Sequence, residues 1–111
     1  DMTDDDHELI ARTAGSMAQT HDGVIIVHGT DRLTMTGDRI VEMGQPRVPI
    51  VLTGAMKPYE VRTTDAMQNL TESLLAVQLV GPGVYCVFHN TVLRFPGVSK
   101  DRERGTFIGG V

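Results

Sequence analysis

The chain has 111 residues, of which 41% are hydrophobic and 22% charged, and its net charge is -4. This length allows one small domain, and the composition is ordinary for a globular protein. The excess of acidic residues argues against a nucleic-acid binder, which needs a basic surface. No apolar run approaches the ~20 residues that span a bilayer. Cys86 has no second cysteine to pair with, so nothing supports an oxidising compartment. We therefore expect a cytoplasmic protein with no membrane or nucleic-acid partner.

The amino-terminal part predicts a helix followed by a buried strand. Thr3 and the three aspartates after it are typical of a helix start. The apolar run at 23–28 is typical of a strand buried on both faces. His7 and His21 lie among polar residues, and we expect both to be solvated. The helix repeats small and apolar residues at helical spacing, namely Ile10, Ala14, Met17 and Ala18.

The rest of the chain repeats this alternation and then breaks it. Residues 37–44 predict a weaker helix, and the runs at 48–53 and 83–89 predict two more strands. Between these strands a helix starts at Thr64 and Asp65 and stops at a Gly-Pro pair. Its apolar stripe is expected to consist of Met67, Leu70, Leu74 and Val77. The segment after residue 89 is expected to be irregular, or to form a hairpin around Pro96 and Gly97.

The order of elements predicts the fold class. Helices alternating with strands imply right-handed crossovers and an open parallel sheet, as in three-layer α/β folds of the Rossmann or flavodoxin type. Ligands of such sheets bind beyond the carboxyl ends of the strands. The loops that matter are therefore those at 28–31, 53–58 and 89–91, the last of which leads on to 99–101.

Thr30 and Asp31 place a hydroxyl and a carboxylate side by side at the first strand end, behind a glycine. Spacing alone favours a helix cap and an Asx-turn, which are common uses of these residues. His28 and His89 each end a strand. Two interpretations remain for them, a shared metal site and a structural role. Cys86 is expected to be buried and inert. Five methionines are expected in or near the core, namely Met17, Met35, Met43, Met56 and Met67.

The segments VIIVHGTD, PIVLTGAMKP, TTDAMQNL and NTVLRFPGVSK resemble the bacterial-type L-asparaginases, which include glutaminase-asparaginases. The resemblance covers nearly the whole chain and implies that residues 1–111 are part of the family's amino-terminal α/β domain. It implies hydrolysis of the side-chain amide of L-asparagine, with L-glutamine as a further substrate, and no metal or organic cofactor. It also implies a homo-oligomer.

The resemblance assigns site residues one at a time. The family's catalytic threonine and aspartate match Thr30 and Asp31, and its lysine matches Lys100. Gly29 and Ala55 match positions that line the substrate pocket, so substrate binding is expected from Gly29, Thr30, Asp31 and Ala55. Lys57 matches a basic position that we interpret as structural. A neutral lysine could take the threonine proton, directly or through a hydroxyl.

Two departures from the family leave the function open. The resemblance assigns acyl formation to the family's second threonine, which lies in a Thr-Gly-Gly-Thr loop after the first strand, and leaves open which threonine attacks first. This sequence contains no such tetrapeptide. We therefore expect the first strand and that loop to be absent from residues 1–111. Arg32 stands where the family usually has threonine. Three classes remain: an asparaginase that needs its preceding segment, an inactive asparaginase-like binding domain, and an amidotransferase-type subunit.

Overall fold

The computed structural model describes residues 4–56 and 65–109; Thr3, Lys57 and Thr64, on which predictions rest, lie outside them. No helix in this described part is long and apolar enough to cross a membrane. The described elements, in chain order, are α1 (Asp4–Ala18), β1 (Val24–Val27), α2 (Leu33–Glu42), β2 (Pro49–Thr53), α3 (Ala66–Leu79), β3 (Gly83–Phe88), β4 (Thr91–Arg94), β5 (Val98–Asp101) and β6 (Thr106–Gly109).

Four strands form one sheet in the order β1-β2-β3-β4. The first three are parallel, as predicted, with Val51 of β2 opposite Ile25 of β1 and Tyr85 of β3. The fourth is antiparallel to β3, so the sheet is mixed rather than wholly parallel. The reason is a tight turn at His89 and Asn90, whose φ angles are 48° and 65°. Two left-handed residues in succession make the hairpin turn that matches strand twist.

Helices cover both faces of the sheet, which confirms the three-layer α/β class. One face carries Ile50, Leu52, Val84, Cys86 and Phe88, which pack against α1 and α2. The other face carries Val51, Tyr85 and Val87, which pack with Ala76 of α3. Strands β2 and β3 are buried along their whole length, because they lie between helices on both sides. This explains the uninterrupted apolar runs in the sequence.

Two predicted boundaries are wrong. Helix α2 begins at Leu33 rather than at 37, and Gly37 lies inside it, where a Cβ would collide with the ring of Phe95. The glycine serves close packing and does not mark a helix end. The predicted hairpin around Pro96 and Gly97 is also wrong, because those residues connect β4 to β5. The second hairpin joins β5 to β6 through residues 102–105.

Only part of the predicted apolar stripe of α3 faces the sheet, because Val77 packs against the Val51 face whereas other members point outward. Met67 and Leu74 are 64% and 51% exposed, whereas the buried face consists of Ala66, Asn69, Ser73 and Ala76. Small side chains let the helix lie close to the strands, and the two polar ones make hydrogen bonds within the protein. The prediction that five methionines lie in or near the core is also largely wrong. Met56 packs against the core, whereas the exposed ones are Met17, Met35, Met43 and Met67.

The prediction for His7 is wrong, because its side chain is buried at 4% exposure. It lies on the face of α1 that also carries Ala11, Ala14 and Ala18, at helical spacing. His21 is exposed, as expected. Cys86 is fully buried, as expected, and burial raises the pKa of its thiol to about 12. The thiolate is therefore disfavoured at neutral pH.

Candidate active site

The carboxyl ends of β1, β2 and β3 meet at one edge of the sheet, because the three strands are parallel and in register. Gly29, Thr30 and Asp31 follow β1, and Ala55 follows β2 after Gly54. A Cβ on Gly54 would collide with the carbonyl oxygen of His28. Glycine is thus required for the start of the second loop to lie against the residue that follows β1.

Lys100 reaches this edge from strand β5. Its Nζ donates hydrogen bonds to Thr30 Oγ1 at 2.9 Å and to Asp31 Oδ1 at 2.7 Å. The structure therefore brings Lys100 into contact with two residues that precede it by 70 and 69 positions in the chain. The lysine side chain is only 17% exposed, while Asp31 is 70% exposed. The ammonium group is held among protein oxygens, and the carboxylate faces solvent.

Cations surround Asp31. The hydrogen bond from Lys100 lowers the pKa of this carboxyl, and the positive charge of Arg102 lowers it further. The Arg102 Nη1 atom lies 3.2 Å from Asp31 Oδ1. Asp31 is therefore an anion at neutral pH, able to hold an ammonium group of Lys100 or of a ligand. Arg32, the residue that departs from the family pattern, is exposed.

The capping alternative for Thr30 and Asp31 does not describe their contacts. Helix α2 starts at Leu33 with Arg32 in the N-cap position, and no side-chain capping hydrogen bond is made there. The hydroxyl of Thr30 and the carboxylate of Asp31 contact Lys100 instead. The two residues thus belong to a polar site rather than to a helix end.

His28 belongs to a buried polar cluster behind this site. Its Nδ1 lies 2.7 Å from the carbonyl oxygen of Gly29, and its Nε2 lies 2.8 Å from Thr36 Oγ1. The same hydroxyl is 2.7 Å from Nδ1 of His7, whose ring stacks on His28 at 5.9 Å. Burial lowers the pKa of His28, the Gly29 carbonyl partly opposes this, and His7 lowers it further. The charged form of His28 is thus disfavoured, and its Nδ1 contact supports the Gly29 backbone.

His89 belongs to a second polar cluster, centred on Asp65 at the start of α3. Its Nε2 is 2.6 Å from Asp65 Oδ2, and its Nδ1 is 2.7 Å from Thr106 Oγ1. Asp65 Oδ2 also accepts the backbone N–H of Met56 at 3.1 Å. Asn69 donates to the Gly54 carbonyl and to Asp65, and its Oδ1 accepts the backbone N–H of His89. This cluster joins the second and third loops.

Both histidines are thus fully engaged with protein atoms, and they are not brought to a common point. In the described ranges, 4–56 and 65–109, no three His, Cys, Asp or Glu residues lie close enough to bind a metal ion. Sequence reasoning missed the roles of Thr36, Asp65, Asn69 and Thr106. The one available signal was the 65–69 spacing, which places an aspartate and an asparagine on one face of a helix.

One described cavity lies away from this edge. It measures about 390 Å³ and is lined by α1, the end of α2 and the start of β2, including Ala11, Ile40, Arg47 and Ile50. It therefore sits toward the amino end of β2, opposite to the strand ends that carry Thr30 and Ala55. We assign the candidate site from the Thr30–Lys100 contact, because parallel sheets bind ligands at their carboxyl edge.

The family profile described as "Asparaginase, N-terminal" matches residues 1–106. The chain belongs to the asparaginase family. It is 33% identical over 102 residues to an L-asparaginase of Thermococcus kodakarensis, an alignment that covers 91% of this chain and 31% of that protein. The solved structure of the thermostable L-asparaginase from the same organism superposes with a TM-score of 0.87 at 30% identity, covering 97% of this chain and 34% of that one.

The asparaginase relatives also include proteins of a different printed function. A glutamyl-tRNA(Gln) amidotransferase subunit of Methanosphaera stadtmanae is 39% identical over 70 residues, which is 63% of this chain and 16% of that protein. The chain thus spans about a third or less of the length of these relatives. The predicted family and the α/β fold are both confirmed.

Proposed function

We propose that this chain is the site-bearing part of an amidohydrolase that converts L-asparagine and water to L-aspartate and ammonia. The observation that carries this proposal is the 2.9 Å contact from Lys100 Nζ to Thr30 Oγ1, with Asp31 as the second acceptor. A hydroxyl beside a lysine that a carboxylate holds in place is an arrangement for activating a nucleophile. The family relationship makes a carboxamide the substrate class.

The chemistry assigns a role to each group. Lys100, when neutral, takes the Thr30 hydroxyl proton directly or relays one through that hydroxyl. Asp31 orients the lysine and, being exposed on its other side, holds the ammonium group of the amino-acid substrate. Gly29 and Ala55 line the pocket, where the Ala55 carbonyl accepts a hydrogen bond from the substrate amide. An acyl-threonine forms, ammonia leaves, and water then releases aspartate. The reaction needs no metal or organic cofactor.

Residues 1–111 alone are proposed to be inactive toward asparagine, because they lack a Thr-Gly-Gly-Thr loop. The test is ammonia release by a longer chain that includes the residues preceding Asp1. The 111-residue chain should stay below a hundredth of a typical ~10 s⁻¹ enzyme rate. Turnover by the short chain above that level would overturn this part of the proposal.

Within the longer chain, Thr30→Val should lower kcat on the order of 10³-fold, which is the scale of losing an activated group. Lys100→Met should behave alike. The double variant should cost little more than either single change, because the two residues act as one unit. Multiplicative losses would contradict a relay between them.

An amidotransferase-type subunit is the second candidate, and the 39% identity over 70 residues to the amidotransferase relative favours it. The longer chain would then release ammonia from glutamine bound beside a tRNA-processing partner. Comparing free asparagine with free glutamine separates the two candidates. A chain that binds aspartate but releases no ammonia from either amide would indicate the inactive binding domain.

We also propose a cytoplasmic homo-oligomer. Strand β1 is at the edge of the described sheet, and Val27 at its end is 67% exposed. Unpaired strand edges recruit other strands. On α3, Leu75 and Leu79 add exposed apolar surface at 60% and 74%. Light scattering should show a species larger than 12 kDa; a monodisperse monomer with a cooperative melt would contradict this.

A further inference from the structure

A hydroxyl, an imidazole and a carboxylate stand in a row outside the Thr30 site. Thr106 Oγ1 on β6 is 2.7 Å from His89 Nδ1, and His89 Nε2 is 2.6 Å from Asp65 Oδ2. The three residues lie on β6, in the turn after β3 and just before α3, so tertiary structure alone brings them together. A hydroxyl within reach of a base that a third group orients is the signature of nucleophilic catalysis.

The protons of this row are fixed by its partners. Asp65 Oδ2 receives N–H donors from Met56 and Asn69 as well as from His89, which is the environment of a carboxylate. A carboxylate only accepts, so His89 Nε2 carries the hydrogen. In the neutral ring Nδ1 then holds a lone pair and accepts the Thr106 hydroxyl hydrogen. This is the tautomer that a general base needs.

Two other threonine–histidine contacts in the described residues do not meet these requirements. Thr36 meets His28 and His7, but all three side chains are buried and their contacts include no carboxylate. Thr20 meets His21 Nδ1 at 3.0 Å, but that nitrogen also faces the Met17 carbonyl at 3.0 Å and must donate to it.

The Thr106 row is open to reagents where the Thr36 cluster is not. The side chains of His89 and Asp65 are 29% and 11% exposed, and Thr106 is partly exposed. The ring is nevertheless held firmly, because Asn69 anchors the His89 backbone and is itself fully buried. A fixed base beside a reachable hydroxyl can act on a small molecule from solvent.

We propose that Thr106 is a second nucleophile of this chain, with His89 as its general base and Asp65 as the group that orients the base, and that its substrates are carboxylic esters. Thr106 Oγ forms a bond to the acyl carbon while His89 Nδ1 takes the hydroxyl proton. The alcohol or phenol oxygen leaves with the bond's electron pair and receives a proton. His89 then activates water, which cleaves the acyl-threonine to the acid and restores the hydroxyl.

Esters are favoured over amides by the chemistry of this row. A positioned general base contributes on the order of 10²- to 10⁴-fold. That is enough for esters with good leaving groups, whereas amide cleavage also needs strong stabilisation of the oxyanion. The activity is therefore distinct from the proposed amide hydrolysis at Thr30, and it does not depend on any residue before Asp1.

The test uses the 111-residue chain and p-nitrophenyl acetate, followed by phenolate release and peptide mapping by mass spectrometry. The expected result is an acetyl ester on Thr106 that hydroxylamine removes, unlike an acetyl amide on a lysine. Thr106→Val should abolish this adduct, and Thr106→Ser should retain it. His89→Gln should slow its formation on the order of 100-fold, the scale of losing a general base. Cys86 should stay unlabelled because it is buried.

Thr20→Val is the matched control, because it removes a threonine beside a histidine that lacks a carboxylate partner. It should leave ester cleavage unchanged. Circular dichroism shows whether each variant folds. If His89→Gln does not fold, the comparison of Thr106→Ser with Thr106→Val still decides the test. Unchanged cleavage in Thr106→Val, or acetyl groups confined to lysines, would overturn the proposal. Loss in Thr30→Val but not in Thr106→Val would do so too, while supporting the Thr30 site.

Discussion

His28 and His89 occupy equivalent places in the chain, each directly after a parallel strand of the sheet, but their surroundings are opposite. His28 is 6% exposed and meets a carbonyl, a hydroxyl and a second imidazole. The His89 side chain is 29% exposed and meets a carboxylate. Burial among neutral groups disfavours a charged ring, whereas a carboxylate partner accepts an N–H in either protonation state. The first cluster supports a backbone, and the second is equipped for proton transfer.

The largest effect on stability is expected at Gly54, which contacts both the His28 cluster and the His89 cluster. A Cβ at this position would collide with the His28 carbonyl, and the Gly54 carbonyl accepts a hydrogen bond from Asn69. Gly54→Ala forces these loops apart, so the free energy of unfolding should fall by more than about 3 kcal/mol. Urea denaturation at fixed protein concentration measures this. Gly29→Ala is the control, because a Cβ there meets open space. Equal losses in both variants would contradict the close approach.

A smaller effect should separate the two threonine hydroxyls. Thr36→Val leaves two buried ring nitrogens without their partner, so unfolding should become easier by about 3 kcal/mol. Thr106→Val removes a hydroxyl at a partly exposed position, where water can bond to His89 Nδ1 instead. The free energy of unfolding should therefore fall by less than about 1 kcal/mol. The same denaturation series compares them. If Thr106→Val cost as much as Thr36→Val, the second cluster would be structural in the way that the first one is.

The smallest effect concerns pH. The folded state lowers the pKa of His28 below its ordinary value of 6.5, so below that pH the unfolded chain binds more protons. The stability that this group contributes is present above about pH 6.5 and is lost as the pH falls. His7, whose ring stacks on His28, is the titratable group that faces it. In ring-detected NMR, His28 should become charged below pH 6.5. Charging above that value would show that the cluster does not disfavour the cation.

The family could be predicted from local sequence, whereas the support of the site could not. Thr30, Asp31 and Lys100 stand in recognisable segments, and the structure brings them into contact. Asn69 and Thr36 are fully buried polar residues on helices, where hydrophobic periodicity predicts apolar ones. Except for Asp65, their hydrogen-bond partners lie on other elements, so spacing within the helix could reveal only the Asp65–Asn69 pair. Met67 and Leu74 illustrate the converse, since apolar residues at helical spacing face outward.

By itself the sequence determined the strands β1, β2 and β3 and the alternation with helices. Short runs of β-branched residues between turn residues are typical of buried strands, and right-handed crossovers then determine on which face of the sheet each helix packs. It also determined the family, and it proposed Thr30, Asp31 and Lys100 as site residues, which the structure brings into contact. Only the tertiary structure decided that β4 returns antiparallel, that His7 is buried, and that Thr106 meets His89. These depend on contacts between residues distant in the chain, whose free energy no local pattern contains.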